Sequence, residues 1–181
     1  MTPNVQRLAC LSALLLSAIP AIGCAQPVRK SQLGGVTQQI ADTRVEIIYR
    51  RPVARGRALF GALVPWGKIW SPSADSAAIV TISAPVDVNG HRLPAGSYAL
   101  WAIPDSTTWT LVFSSMARAF HLSYPEGKDV LRVQASPRRG EHMETLAFYF
   151  PVVDADSATL NLHWGTTIVP MTLRVPDTRL H

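Results

Sequence analysis

Residues 97–114 read SYALWAIPDSTTWTLVFS, and this stretch decides the fold. Apolar side chains occupy both alternating faces of residues 97–103. This predicts a strand in the middle of a sheet, because such a strand is buried on both sides. Small polar turn residues follow at 105–108, and a second apolar run covers residues 109–114. The stretch therefore predicts a β-hairpin of two buried strands.

The same alternation recurs along most of the chain. Asn89-Gly90, between two short extended runs, predicts a tight hairpin, and residues 165–167 predict another between the last two strands. Pro170 lies inside the last predicted strand and indicates an edge position, since proline cannot donate to a β-ladder. Helical spacing is limited to one predicted turn at residues 116–121. The other predicted strands cover residues 45–49, 77–83, 130–135, 142–150, 159–164 and 168–175.

About nine short strands separated by turn residues predict an all-β protein. Its expected architecture is a single antiparallel β-sandwich or jelly-roll-like domain. We expect this domain to span residues 36–176, after a flexible polar tether at residues 26–35. A short C-terminal tail, residues 177–181, follows it.

The first 25 residues have the layout of a secretory signal peptide. Arg7 precedes an apolar run at residues 8–22, and small residues follow. Two cleavage sites fit this layout. One lies after Ala25, and the other makes residues 1–23 a lipoprotein signal with a lipid on Cys24. We expect an exported protein, periplasmic or extracellular, which would join a membrane only through that lipid.

Composition narrows the chemistry. Both cysteines, Cys10 and Cys24, lie in the leader, so we expect a mature domain without disulfides or thiolate metal sites. Lysine and arginine outnumber aspartate and glutamate by 17 to 12, but most basic residues are scattered. Together with export, this argues against a nucleic-acid partner. We expect no cofactor and no bound metal.

The segment 49–70, YRRPVARGRALFGALVPWGKIW, concentrates arginines, turn residues and two tryptophans between predicted strands. Such a density of arginine, glycine, proline and tryptophan is typical of an ordered loop with a defined conformation. Its guanidinium groups suit a carboxylate, sulfate or phosphate, and its indoles suit stacking on a polar ligand. The alternative is structural: the arginines donate to free loop carbonyls and nearby acids, and the tryptophans pack. The predicted ligand-binding residues are Arg51, Arg55, Arg57, Trp66, Trp70 and Asp75.

A second candidate is His142-x-Glu144, because residues two apart on a strand lie on the same face. With Asp75 as a second carboxylate, Glu144 and His142 are the candidate catalytic residues of a hydrolase, metal-assisted in one version. A nucleophile-elbow motif and a His-x-His pair are both missing from the sequence.

The loop also carries an ordered block: Tyr49-x-Arg51-Pro52, Gly56-Arg57, Phe60-Gly61, Val64-Pro65-Trp66-Gly67-Lys68 and Trp70. Further matches are Gly90-x-x-Leu93-Pro94-Ala95-Gly96-x-Tyr98, Trp109, Lys128-Asp129-Val130-Leu131-Arg132-Val133, Glu144 and Leu160-x-Leu162-x-Trp164. Together they resemble the exported bacterial family called domain of unknown function 2911. The resemblance implies an exported, strand-rich single domain without an established activity. That family usually reads Arg-Thr-Gly-Ala-Asn-Glu after the last tryptophan of the block, whereas this chain has SPSADS at residues 71–76.

These observations lead to one expected function and one alternative. We expect a non-catalytic binding or accessory module of the bacterial envelope, with a polar or anionic ligand or an envelope protein as its partner. The alternative is a hydrolase that acts on envelope or extracellular material.

Overall fold

The computed structural model describes residues 30–176, and these form ten β-strands and no helix. The all-β prediction is confirmed, with one strand more than expected. The strands are β1 Gln32–Ile40, β2 Thr43–Arg51, β3 Ala78–Ile82, β4 Val86–Val88, β5 His91–Leu93, β6 Gly96–Ile103, β7 Trp109–Ser114, β8 Asp129–Ala135, β9 Arg138–Val153 and β10 Ser157–Arg174.

Two antiparallel sheets pack face to face as an open sandwich. The larger sheet has the order β1-β2-β3-β6-β7-β8, and the smaller has the order β5-β4-β10-β9. Alternate apolar side chains of both sheets form one core, as period-two patterning requires. The Asn89-Gly90 hairpin is formed between β4 and β5, with both residues at positive φ (47° and 82°). The sandwich prediction is therefore confirmed.

β1 begins at Gln32, inside the segment that the sequence suggested as a tether. Gly34 and Gly35 gave that segment a flexible character, but they are paired with Tyr49 and Ile48 of β2. A Cβ on Gly34 would lie 2.6 Å from Cδ of Arg51, and one on Gly35 would lie 2.9 Å from Cδ1 of Ile48. The glycines thus leave room for the large side chains of β2.

The predicted helical turn at residues 116–121 is wrong, since this segment is irregular. Ala119 is buried there against the outer face of the larger sheet, beside Trp101 and Val112. Its carbonyl accepts a hydrogen bond from the Ala77 N–H (2.9 Å). The segment is therefore held by packing on the sheet rather than by helical hydrogen bonds.

β10 is a single continuous strand in the structure, but the chain reverses direction within this stretch. The N–H of Val175 donates to the carbonyl of Asp156 (2.7 Å), and Arg174 forms an ion pair with the same residue. An extended strand of this length would separate its ends by about 55 to 60 Å. Gly165, with φ of 58°, lies in the turn that the sequence predicted at residues 165–167.

The prediction that Pro170 marks an edge strand is wrong. β10 lies between β4 and β9 in the smaller sheet. Pro170 falls between the pair Ile168↔Arg138, on the β9 side, and the pair Leu173↔Val88, on the β4 side. Its missing N–H therefore falls between the paired stretches, and this explains how an interior strand tolerates proline.

Residues 52–77 form an ordered crossover between β2 and β3, which we call the crossover. Its ends are fixed by backbone hydrogen bonds. The Ala54 N–H donates to the Glu144 carbonyl (2.8 Å), and Trp70 and Ala102 exchange two bonds of 2.8 and 2.7 Å. The first contact joins the crossover to β9, and the second joins it to β6, so both sheets hold it.

Phe60 of the crossover packs among tryptophans from both sheets. Its ring centroid lies 4.8 Å from Trp109 of β7 and 6.2 Å from Trp164 of β10, both edge to face. Trp70 lies 5.9 Å away, also edge to face, and stacks on Trp164 at 6.0 Å with an interplanar angle of 8°. Such pairs favour these offset and perpendicular geometries. We call Phe60, Trp70, Trp109 and Trp164 the aromatic cluster.

We expect Phe60→Ala to destabilise the fold by about 2 to 3 kcal/mol, since the change removes a ring that contacts both sheets. Urea unfolding followed by circular dichroism measures this effect. Phe120→Ala is the matched control, because Phe120 is 56% exposed. The control should stay within about 0.5 kcal/mol of wild type. Equal effects of the two changes would contradict the role given to the cluster.

Candidate functional site

Two of the predicted arginines donate hydrogen bonds to nearby backbone carbonyls. Nε of Arg51 donates to the carbonyl of Leu146 in β9 (3.0 Å). Arg57 donates from Nε to the Ala54 carbonyl (2.8 Å) and from one terminal nitrogen to the Val53 carbonyl (2.7 Å). Charged donors make strong bonds of this kind. These contacts agree with the structural alternative for both residues, although Arg57 remains exposed.

Arg55 contributes to the site through its backbone. It has a positive φ (52°), and its N–H donates to Oε1 of Glu144 (2.5 Å). Oε2 of the same carboxylate lies 3.0 Å from Nε2 of His142. The predicted Glu144–His142 pair is thus brought together, and the crossover is attached to it.

Trp66 is the exposed aromatic residue of the crossover. It is 46% exposed, whereas Trp70 is half-buried in the aromatic cluster. Phe60 lies behind it with a ring separation of 6.2 Å, and a Cβ on Gly61 would overlap its indole nitrogen. The next residue, Gly67, donates its N–H to the Pro104 carbonyl (2.8 Å). These contacts fix the indole at the surface.

Two surface clefts flank Trp66. The Arg57 cleft has a volume of about 350 Å³, and the Arg138 cleft has about 270 Å³. Trp66, Thr166 and Thr167 line both, so the clefts adjoin at the indole. The other principal residues of the Arg57 cleft are Arg57, Phe60, His142 and Trp164. Those of the Arg138 cleft are Asp105, Trp109, Pro137, Arg138 and Arg139.

The clefts bring together only part of the predicted site. Arg57 and Trp66 share one cleft with His142. Arg51, Trp70 and Asp75 line neither of the two clefts. Asp75 lies at the end of the crossover with φ of 63°. Nearby, the hydroxyl of Ser73 accepts the N–H of Arg50 (2.9 Å), so part of the divergent SPSADS segment supports the backbone.

Sequence reasoning missed Arg138, Arg139 and the threonines of the β10 turn. The arginines follow Pro137 at the start of β9, where two adjacent basic residues beside a turn are an ordinary surface pattern. Their position beside Trp66 depends on the pairing of Arg139 with Thr167 and of Arg138 with Ile168. No local sequence pattern indicates a contact between residues that lie this far apart in the chain.

The surroundings of Glu144 favour the ionised form of its carboxyl group. The hydrogen bond from His142 lowers its pKa most, and the N–H of Arg55 lowers the pKa further. A general acid requires the opposite shift, because it must hold its proton near neutral pH. The carboxylate therefore suits an accepting role, either for the crossover backbone or for donors of a ligand.

Metal-ligand clusters and membrane-spanning helices can be assessed over the described residues. Across residues 30–176, no three side chains of the His, Cys, Asp or Glu type come together as metal ligands would. The same range holds no helix with the length and hydrophobicity that a bilayer crossing requires. Cys24 and the predicted signal peptide lie outside the described residues.

The chain belongs to the family described as "Protein of unknown function (DUF2911)", which matches residues 31–173. This range includes nine strands and all of β10 except its last residue. The resemblance inferred from the crossover motifs is thereby confirmed. No curated protein and no solved structure matches the chain.

We expect the Glu144 carboxyl to titrate below the ordinary range of a glutamate, and His142→Ala to raise its midpoint. Because the folded-state pKa is lowered, the pair stabilises the fold above the unfolded-state pKa and loses this effect as pH falls through the folded value. Carbon-detected NMR titration measures the midpoint. His91→Ala, at an exposed position of β5, is the control. An unchanged Glu144 midpoint in His142→Ala would refute the assigned cause.

Proposed function

We propose that this protein is an exported, non-catalytic binding module of the bacterial envelope and that it holds a polar ligand against Trp66. The observation that carries the proposal is the indole itself, nearly half exposed and fixed from behind by Phe60 and Gly61. A large exposed aromatic side chain on a rigid support offers contact area at little cost in conformational entropy.

The surroundings of the indole favour a hydroxyl-rich ligand. Arg57, His142, Thr166 and Thr167 provide donors and acceptors around the Arg57 cleft, while Phe60 and Trp164 supply apolar walls. Aromatic surface beside such polar groups matches a sugar ring, which has apolar faces and polar edges. The open cleft also suits part of a longer chain better than an engulfed small molecule.

A binding role fits the site better than hydrolysis does. The alternative needed Glu144, His142 and Asp75 in one place, but Asp75 lines neither cleft. The lowered pKa of Glu144 also disfavours a role as general acid. Export remains part of the proposal, with either cleavage after Ala25 or a lipid on Cys24 as the two alternatives, and it rests on the leader sequence.

A glycan microarray of neutral and acidic bacterial oligosaccharides tests this function. We expect wild-type protein to retain a subset of glycans and Trp66→Ala to lose at least nine-tenths of the signal, because stacking area is removed. Leu63→Ala is the matched control: Leu63 is 42% exposed on the same crossover but lines neither cleft. Equal retention by wild type and Trp66→Ala, or retention by neither, would refute the proposed function.

A further inference from the structure

We infer that the ligand is a linear acidic glycan that passes over Trp66 and places a carboxylate or sulfate on Arg138 and Arg139. This inference rests on the proposed function and extends it to a chemical class. It concerns the Arg138 cleft, whose two arginines lie outside the crossover and were not among the site residues predicted from the sequence.

The two clefts adjoin, and this adjacency is the first argument. Trp66, Thr166 and Thr167 form a shared boundary between the Arg57 cleft and the Arg138 cleft. A ligand stacked on the indole would therefore have room on both sides of it. A chain that continues past the aromatic ring fits this geometry better than a single sugar or a small ion.

The second argument is the free donor capacity of the arginine pair. The guanidinium groups of Arg138 and Arg139 are exposed and form no hydrogen bond or ion pair with any residue between 30 and 176. Between residues 30 and 176, most of the other arginines donate from the guanidinium to an acid or a carbonyl: Arg44, Arg51, Arg55, Arg57, Arg92, Arg132 and Arg174. Unengaged guanidinium forks bind carboxylate or sulfate in a bidentate manner.

The third argument is the local charge balance. Asp105 is the acid that lines the Arg138 cleft. Its Oδ1 accepts from the Ser106 hydroxyl (3.2 Å) and from the Thr107 N–H (3.3 Å), so it is directed into its own turn. Arg57, across the indole, adds a third positive charge. Cationic charge therefore exceeds anionic charge along the groove, and this attracts an acidic chain.

Isothermal titration of protein produced from the full-length sequence tests the inference. The probes are a hexagalacturonate, which carries carboxylates, and a heparin-derived hexasaccharide, which carries sulfates. The methyl-esterified hexagalacturonate is the neutral control. The double variant R138Q/R139Q removes both charges and keeps a polar side chain that can donate hydrogen bonds. R118Q is the matched control, because Arg118 is exposed and lines neither cleft.

We expect wild type and R118Q to bind at least one acidic hexasaccharide, with affinity that falls as salt rises. R138Q/R139Q should weaken that binding at least tenfold and reduce its salt dependence. The esterified probe should bind wild type as weakly as the acidic probe binds the double variant. Trp66→Ala should also weaken binding, and inorganic phosphate at the same concentration should not compete.

The contrary outcomes separate the inference from the proposed function. If Trp66→Ala lost glycan binding while R138Q/R139Q bound fully, the inference of an acidic ligand would be refuted. The proposed stacking of a glycan on Trp66 would still hold. Failure of wild type to bind either acidic probe would overturn the inference as well. Competition by phosphate alone, without an effect of Trp66→Ala, would indicate a simple anion site and would overturn both.

Discussion

The packing of Phe60 among Trp70, Trp109 and Trp164 is the interaction on which the rest of the site depends. The ring comes from an irregular crossover, yet it touches one tryptophan from each sheet. It therefore closes one end of the open sandwich and holds the crossover in place at the same time. Half-buried aromatic rings contribute both apolar area and preferred edge-to-face geometry to such a junction.

The exposed chemistry follows from this anchor. Phe60 supports Trp66, and the hydrogen bonds of Arg57 to Val53 and Ala54 keep its guanidinium beside the Arg57 cleft. A ligand would then meet groups that are already ordered, which lowers the entropy lost on binding. The same arginine thus serves the backbone and borders the cleft, so the structural and functional interpretations of the crossover are compatible.

The sequence predicted what depends on local chemistry and missed what depends on distant pairing. The Asn89-Gly90 hairpin and the buried Trp109 follow from turn preferences and alternation. β1 was missed because two adjacent glycines in a sequence suggest a flexible segment. In the folded protein the same glycines leave space for side chains of β2. Arg138 was missed because only the register of β9 and β10 places it beside Trp66.

Hydrogen exchange of the crossover amides tests the central claim most directly. The N–H of Val64 donates to the Leu59 carbonyl (2.9 Å), and the N–H of Gly61 donates to the Val64 carbonyl (2.8 Å). Leu59 and Gly61 flank Phe60 in the chain. If Phe60 anchors the crossover, these amides should exchange about as slowly as those of β2 in wild type, and far faster in Phe60→Ala while β2 stays protected. Rapid exchange of both amides in the wild-type protein would contradict the account.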